Sequence, residues 1–164
     1  MTKNIFRTLT IIWMIIIFLF SARTGVDSTG DSHNVGMFIG NVLIHDFGEW
    51  SEAKQTSFAE KIDYPIRKTA HASEYSVLGI FLVGAVFCFK YGKIRLSRYK
   101  TAWILGTVYA ASDEIHQLFV PGRSGRVTDV IIDSMGVFTG VIVCYVIKLI
   151  FDKLNIKTAV RFYE

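Results

Sequence analysis

Lys68, His71 and Glu74 follow one another at intervals of three, and Tyr75 stands four after His71, so all four share a helical face. Asp113, three before His116 and four before Gln117, and Glu114, three before Gln117, repeat the pattern. Asp129 and Asp133 are four apart, and Arg123 and Arg126 lie in the turn-forming stretch Pro121-Gly122-Arg123-Ser124-Gly125-Arg126 just before them. A histidine among carboxylates suits general acid–base or nucleophilic work, and the same groups could hold a divalent metal. Arginine grips phosphate or carboxylate with two parallel N–H bonds, a property that a turn does not call for. His71, Glu114, Asp129 and Asp133 are therefore candidates for catalysis. Lys68, Glu74, Tyr75, Asp113, His116, Gln117, Arg123 and Arg126 are candidates for ligand binding.

The elements that must position them are membrane helices. The chain is 51% hydrophobic over 164 residues, with a mean hydropathy of +0.38, too apolar for an ordinary soluble domain. Four apolar runs approach the ~20 residues that a spanning helix needs: Ile5 to Phe20, Tyr64 to Phe89, Thr101 to Val120 and Val130 to Phe151. The first has the flanks of a signal peptide, but it reads as an uncleaved span because the rest of the chain is membrane-bound too. The formal charge of +4 comes from Lys and Arg that flank apolar runs, a topology signal that leaves no basic surface for nucleic acid. Cys88 and Cys144 each lie inside an apolar run and suggest neither a disulfide nor a zinc site. No repeat or linker divides residues 1–164, which read as one domain.

Lysine and arginine also orient the spans. Lys90, Lys93, Arg95, Arg98 and Lys100 form one basic loop, and Lys148, Lys153, Lys157 and Arg161 close the chain, so both ends are expected in the cytoplasm. The acid-rich segment 21–63 then faces outward. Within it Val35, Phe38, Ile39, Val42 and Leu43 recur at helical spacing, as in an amphipathic helix on the membrane surface; a solvated lid is the alternative. The expected fold is all-α and polytopic, with four transmembrane helices and an extracytoplasmic helical segment between the first two.

This topology brings every intramembrane charge to one depth. At 1.5 Å per residue, Asp113 and Glu114 lie roughly 10 Å below Pro121, and His71 and Asp133 roughly 6 to 8 Å inside the expected helix starts. Each ionisable group in hydrocarbon costs at least ~2.5 kcal/mol, so the cluster must face the bundle interior or water. Two explanations stand side by side: a polar knot that ties helices together, and a pocket whose surplus of carboxylate wants a cation, a shared proton or a cationic ligand. Gly136 and Gly140, a G-x-x-x-G pair, and Gly106 with Ala110 suggest close helix packing.

Two stretches match a known pattern together: R-K-x-x-H-x-x-x-Y-x-x-L, Arg67 to Leu78, and D-E-x-x-Q-x-F-x-P-G-R-x-G-x-x-x-D-x-x-x-D-x-x-G-x-x-x-G, Asp113 to Gly140. With Ser21 closing the first span, the chain up to about Val143 resembles the VanZ-like family. Asp133 stands where that family often carries Asn. The resemblance implies a small integral protein of the bacterial cell membrane, linked to low-level resistance to the glycopeptide teicoplanin without altered cell-wall precursors. It implies Lys68, His71, Tyr75, Glu114, Gln117, Arg123, Asp129 and Asp133 as the functional positions, and gives no biochemical mechanism.

Two functions follow as expectations. One is an envelope protein whose outward pocket binds an anionic head group, with membrane lipids, lipid-linked cell-wall intermediates or the glycopeptide itself as partners. The other is a membrane-embedded hydrolase or transferase acting on such a molecule, with or without a divalent metal. A proton-coupled transporter is disfavoured, because the charges lie near one face and no acid, base or histidine stands between Gly136 and Ile147 or between Val77 and Phe89.

Overall fold

The computed structural model describes the backbone of residues 2–86 and 96–161 and the side chains of 4–86 and 96–154. The described residues form five α-helices and one 3-10 turn, and contain no strand. The helices are α1 (Thr2–Ser21), α2 (Gly25–Leu43), α3 (Glu52–Val86), α4 (Leu96–Gln117) and α5 (Val127–Arg161), with the 3-10 turn at Phe47–Glu49. Cys88 and the basic positions Lys90, Lys93 and Arg95 lie outside the described residues, as do the side chains of Lys157 and Arg161. Among the described residues, three helices are long and apolar enough to cross a membrane: α1 over Asn4–Ser21, α3, and α5 over Val127–Leu154.

As far as Val86, the second apolar run turns out to be the C-terminal part of a longer helix. Glu52, Ala53, Lys54 and Gln55 are good helix formers, and the chain stays helical from there through Pro65 to Val86. This corrects the expected helix start near Tyr64. His71 lies nineteen residues into α3, roughly 28 Å from its beginning rather than 6 to 8 Å. The extension forms because α2 packs beside it.

The packing face of α2 is its small-residue side. A Cβ on Gly36 would stand 3.1 Å from the Ala59 Cα, and Ser32 donates to the Asp63 carboxylate. Thr24 caps the helix by accepting the Asp27 N–H at 3.2 Å. The expected apolar positions Val35, Phe38, Val42 and Leu43 remain exposed.

At the centre, α3 and α5 cross so closely that side chains are excluded. A Cβ on Gly136 would meet the Ala72 carbonyl oxygen at 2.4 Å, and one on Gly140 the Ser76 oxygen at 2.0 Å. The G-x-x-x-G pair is thus a packing device against α3, as small residues in membrane helices commonly are. Around this seam Ile17, Tyr75, Leu78, Val83, Ala110 and Val137 form the core. The outer face of α4 stays apolar and exposed at Trp103, Ile104, Leu105 and Val108.

Candidate functional site

The charged residues separate into two layers. The inner layer is a knot around Asp113, which is 3% exposed. Its Oδ2 accepts Ser21 Oγ at 2.9 Å, Tyr75 OH at 3.2 Å and Gln117 Nε2 at 3.4 Å. Gln117 Nε2 also donates to Ser21 Oγ at 2.8 Å. The knot ties the end of α1 to α3 and α4, so Asp113 and Tyr75 act as helix fasteners in this structure. Ser21 is an anchor that only the family pattern brought to notice.

The outer layer surrounds a cavity of about 150 Å³. From α3 it is lined by Tyr64, Arg67, Lys68 and His71; from α4 by Glu114 and Gln117; from α5 by Asp129 and Asp133. The loop between α4 and α5 adds Gly122, Arg123, Ser124 and Arg126. Three helices and a loop therefore converge on it. Lys68 Nζ pairs with Asp129 Oδ2 at 2.6 Å, both side chains largely buried. Glu114 Oε2 accepts the Arg126 backbone N–H at 2.9 Å.

The loop can fold this tightly because of two glycines. Gly122 has φ +73°, a left-handed conformation that costs a side-chain-bearing residue ~1–2 kcal/mol. Gly125 passes so close to α4 that a Cβ would sit 2.3 Å from the Glu114 carbonyl oxygen. Arg123 then turns back to α1, donating Nε to the Arg23 carbonyl at 3.1 Å and Nη2 to the Phe20 carbonyl at 3.4 Å. It thereby braces the end of α1, at the Phe20 carbonyl, which also accepts the Arg23 N–H, and at the Arg23 carbonyl just beyond the helix. Burial and the nearby Arg67 guanidinium pull its pKa below the usual arginine value.

A second cavity of about 200 Å³ opens between α2 and α3 and shares Arg67, His71 and Arg123 with the first. Glu74 lies here, with Arg23 and Asp31, rather than in the first cavity. His71 therefore stands in the wall between the two. Its Nδ1 is buried, has no hydrogen-bond partner among the described residues, and lies 3.9 Å from Glu74 Oε2. His116 is not brought to either cavity: its ring stacks on Phe18 of α1 with centroids 4.5 Å apart.

The expected surplus of carboxylate is reversed. Glu74 and Asp113 lie outside the first cavity, and Arg67 joins it, so four cationic residues line it with three acidic ones. Arg67 was legible in the sequence, four residues before His71 on the same face, but an arginine at the head of an apolar run reads as a topology charge. Among the described residues no three of His, Cys, Asp and Glu come together as metal ligands. Asp129 is engaged by Lys68 and Glu114 by the loop backbone. The arrangement suits an anion held by guanidinium and ammonium groups, with carboxylates to orient them.

Compared with models of protein families, residues 6–149 match the one described as VanZ/LLP1. No curated protein and no solved structure matches the chain.

Proposed function

Because its match over nearly the whole length places this chain in the VanZ/LLP1 family of membrane proteins, we propose that it works at the outer face of the bacterial cell membrane, holding the anionic head group of a lipid-linked envelope molecule. The observation that carries this reading is the cavity lined by four cationic residues and three acidic ones, where the middle of α3 meets the end of α4, the start of α5 and the loop between them. The family's link to low-level teicoplanin resistance fits such a role, since a protein that sequesters or presents an envelope lipid alters what a glycopeptide meets at the surface. In this reading α4 is a fourth span, supported by its exposed apolar face and by its place beside α5. Lys148 and Lys153 near the far end of α5 support a cytoplasmic C-terminus, with the cavity outward.

The test is lipid retention. The full chain is purified from its native membranes in mild detergent, and co-purified lipids are compared by mass spectrometry with those of an Arg67→Gln, Arg126→Gln variant. Enrichment of a phosphorylated lipid with the wild type, lost in the variant, is expected. A bulk-membrane profile from both proteins would sink the proposal.

Hydrolase or transferase activity is the second reading, favoured by one observation: the unpartnered His71 Nδ1 in the wall between the cavities, with Glu74 beside it. It requires a lipid species in cells that changes with wild-type protein and not with His71→Gln.

A further inference from the structure

A groove of about 650 Å³ runs down the outside of the α3/α5 seam and meets the polar cavity at its upper end. Tyr64 and Lys68 line both. Below them the groove is walled by Ala72, Ser73 and Ser76 of α3 and by Ile132 and Thr139 of α5. It exists because Gly136 and Gly140 bring the two backbones together where no side chain can stand between them.

Two hydroxyls in this groove already have partners within their own helices. Ser73 Oγ donates to the Thr69 carbonyl at 2.7 Å and Thr139 Oγ1 to the Met135 carbonyl at 2.9 Å, each within its own helix. The groove is mostly apolar and lies along two helices that are each long and apolar enough to span a membrane. From Tyr64 to Ser76 the groove extends about 18 Å along α3. That is close to the ~15 Å of one leaflet's hydrocarbon.

We propose that this groove holds the hydrocarbon chain of the lipid whose anionic head group occupies the cavity, with Tyr64 and Lys68 at the junction of chain and head. The inference rests on the head-group reading above and adds the route: the ligand arrives sideways from the bilayer. Lys68 is placed for this, with its ammonium 5.4 Å from the Tyr64 ring centroid and paired to Asp129 inside the cavity. A water-soluble phosphate would need the cavity alone; a lipid uses both.

Photo-crosslinking decides it. The full chain is placed in phosphatidylcholine nanodiscs with phosphatidic acid bearing a diazirine midway along one acyl chain, and with phosphatidylcholine bearing the same label. Phosphatidic acid is expected to label the α3 and α5 segments around Ser73 and Thr139 selectively. A Ser73→Trp, Thr139→Trp variant, which fills the groove from two exposed positions, should lose that labelling yet retain phosphatidic acid by native mass spectrometry. Preferential retention with labels spread evenly over all helices would overturn the groove and leave the head-group site standing. Retention without preference between the two lipids would overturn the head-group reading itself. Intermolecular disulfide formation by a Thr139→Cys variant, in place of lipid labelling, would assign the groove to a second copy of the chain and overturn the proposal.

Discussion

Replacing Asp113 by alanine removes the acceptor shared by Ser21, Tyr75 and Gln117. In water the loss of a buried partner of this kind costs several kcal/mol, but membrane helices that separate find other partners in the bilayer. Interhelical hydrogen bonds there average about 0.6 kcal/mol each, and two of the three, from Ser21 of α1 and Tyr75 of α3, cross between helices, which puts their loss at about 1.2 kcal/mol. Asp113→Asn keeps an acceptor oxygen in the same place and can turn its amide toward the Oδ1 side, which has no partner among the described residues. It should cost well under half as much. The assay is unfolding in mixed micelles, followed by tryptophan fluorescence, with phosphorylated-lipid retention measured on the folded fraction. Asp113→Ala should lower stability and leave retention per folded molecule unchanged. If Asp113→Asn lost as much stability as Asp113→Ala, or if either abolished retention while the fold held, Asp113 would be part of the ligand site and the division into knot and cavity would be refuted.

The glycines separate by what surrounds them. Gly140→Ala places a Cβ 2.0 Å from the Ser76 oxygen and should destabilise by ~1–3 kcal/mol in detergent thermal unfolding, while Gly30→Ala, with nothing within 4 Å, should stabilise α2 by ~0.5–1 kcal/mol. His116→Phe keeps the stack on Phe18 and should retain the lipid as the wild type does, measured by the same co-purification. Gly122→Ala should cost ~1–2 kcal/mol from its positive φ, read as a lowered melting temperature. Lys68→Met and Asp129→Asn should be strongly non-additive in a double-mutant cycle, with a coupling of roughly 0.5–3 kcal/mol; additivity would show that their 2.6 Å pair contributes nothing.

The sequence by itself determined the membrane class, the helical fold, and the helical faces that bring Lys68, His71, Glu114, Asp129 and Asp133 to one cavity, though it set His71 too near the start of its helix. Those features depend on local periodicity and on the cost of burying charge in hydrocarbon, both of which one chain displays. It also marked the α5 glycines as packing residues. Only the tertiary structure decided which acids belong to the cavity. Asp113 and Glu114 are neighbours in the chain, yet one lies in the inner knot and the other in the cavity wall, because a helix turns 100° between them. The structure also decided the length of α3: residues 52–63 look like a polar loop alone and become helix through contact with the small-residue face of α2, a partnership that neither segment's periodicity reveals. Arg67 and Arg123 were ambiguous for the same reason. A guanidinium can snorkel to lipid, cap a helix or bind an anion, and which of these it does is set by the groups that distant parts of the chain bring within its reach.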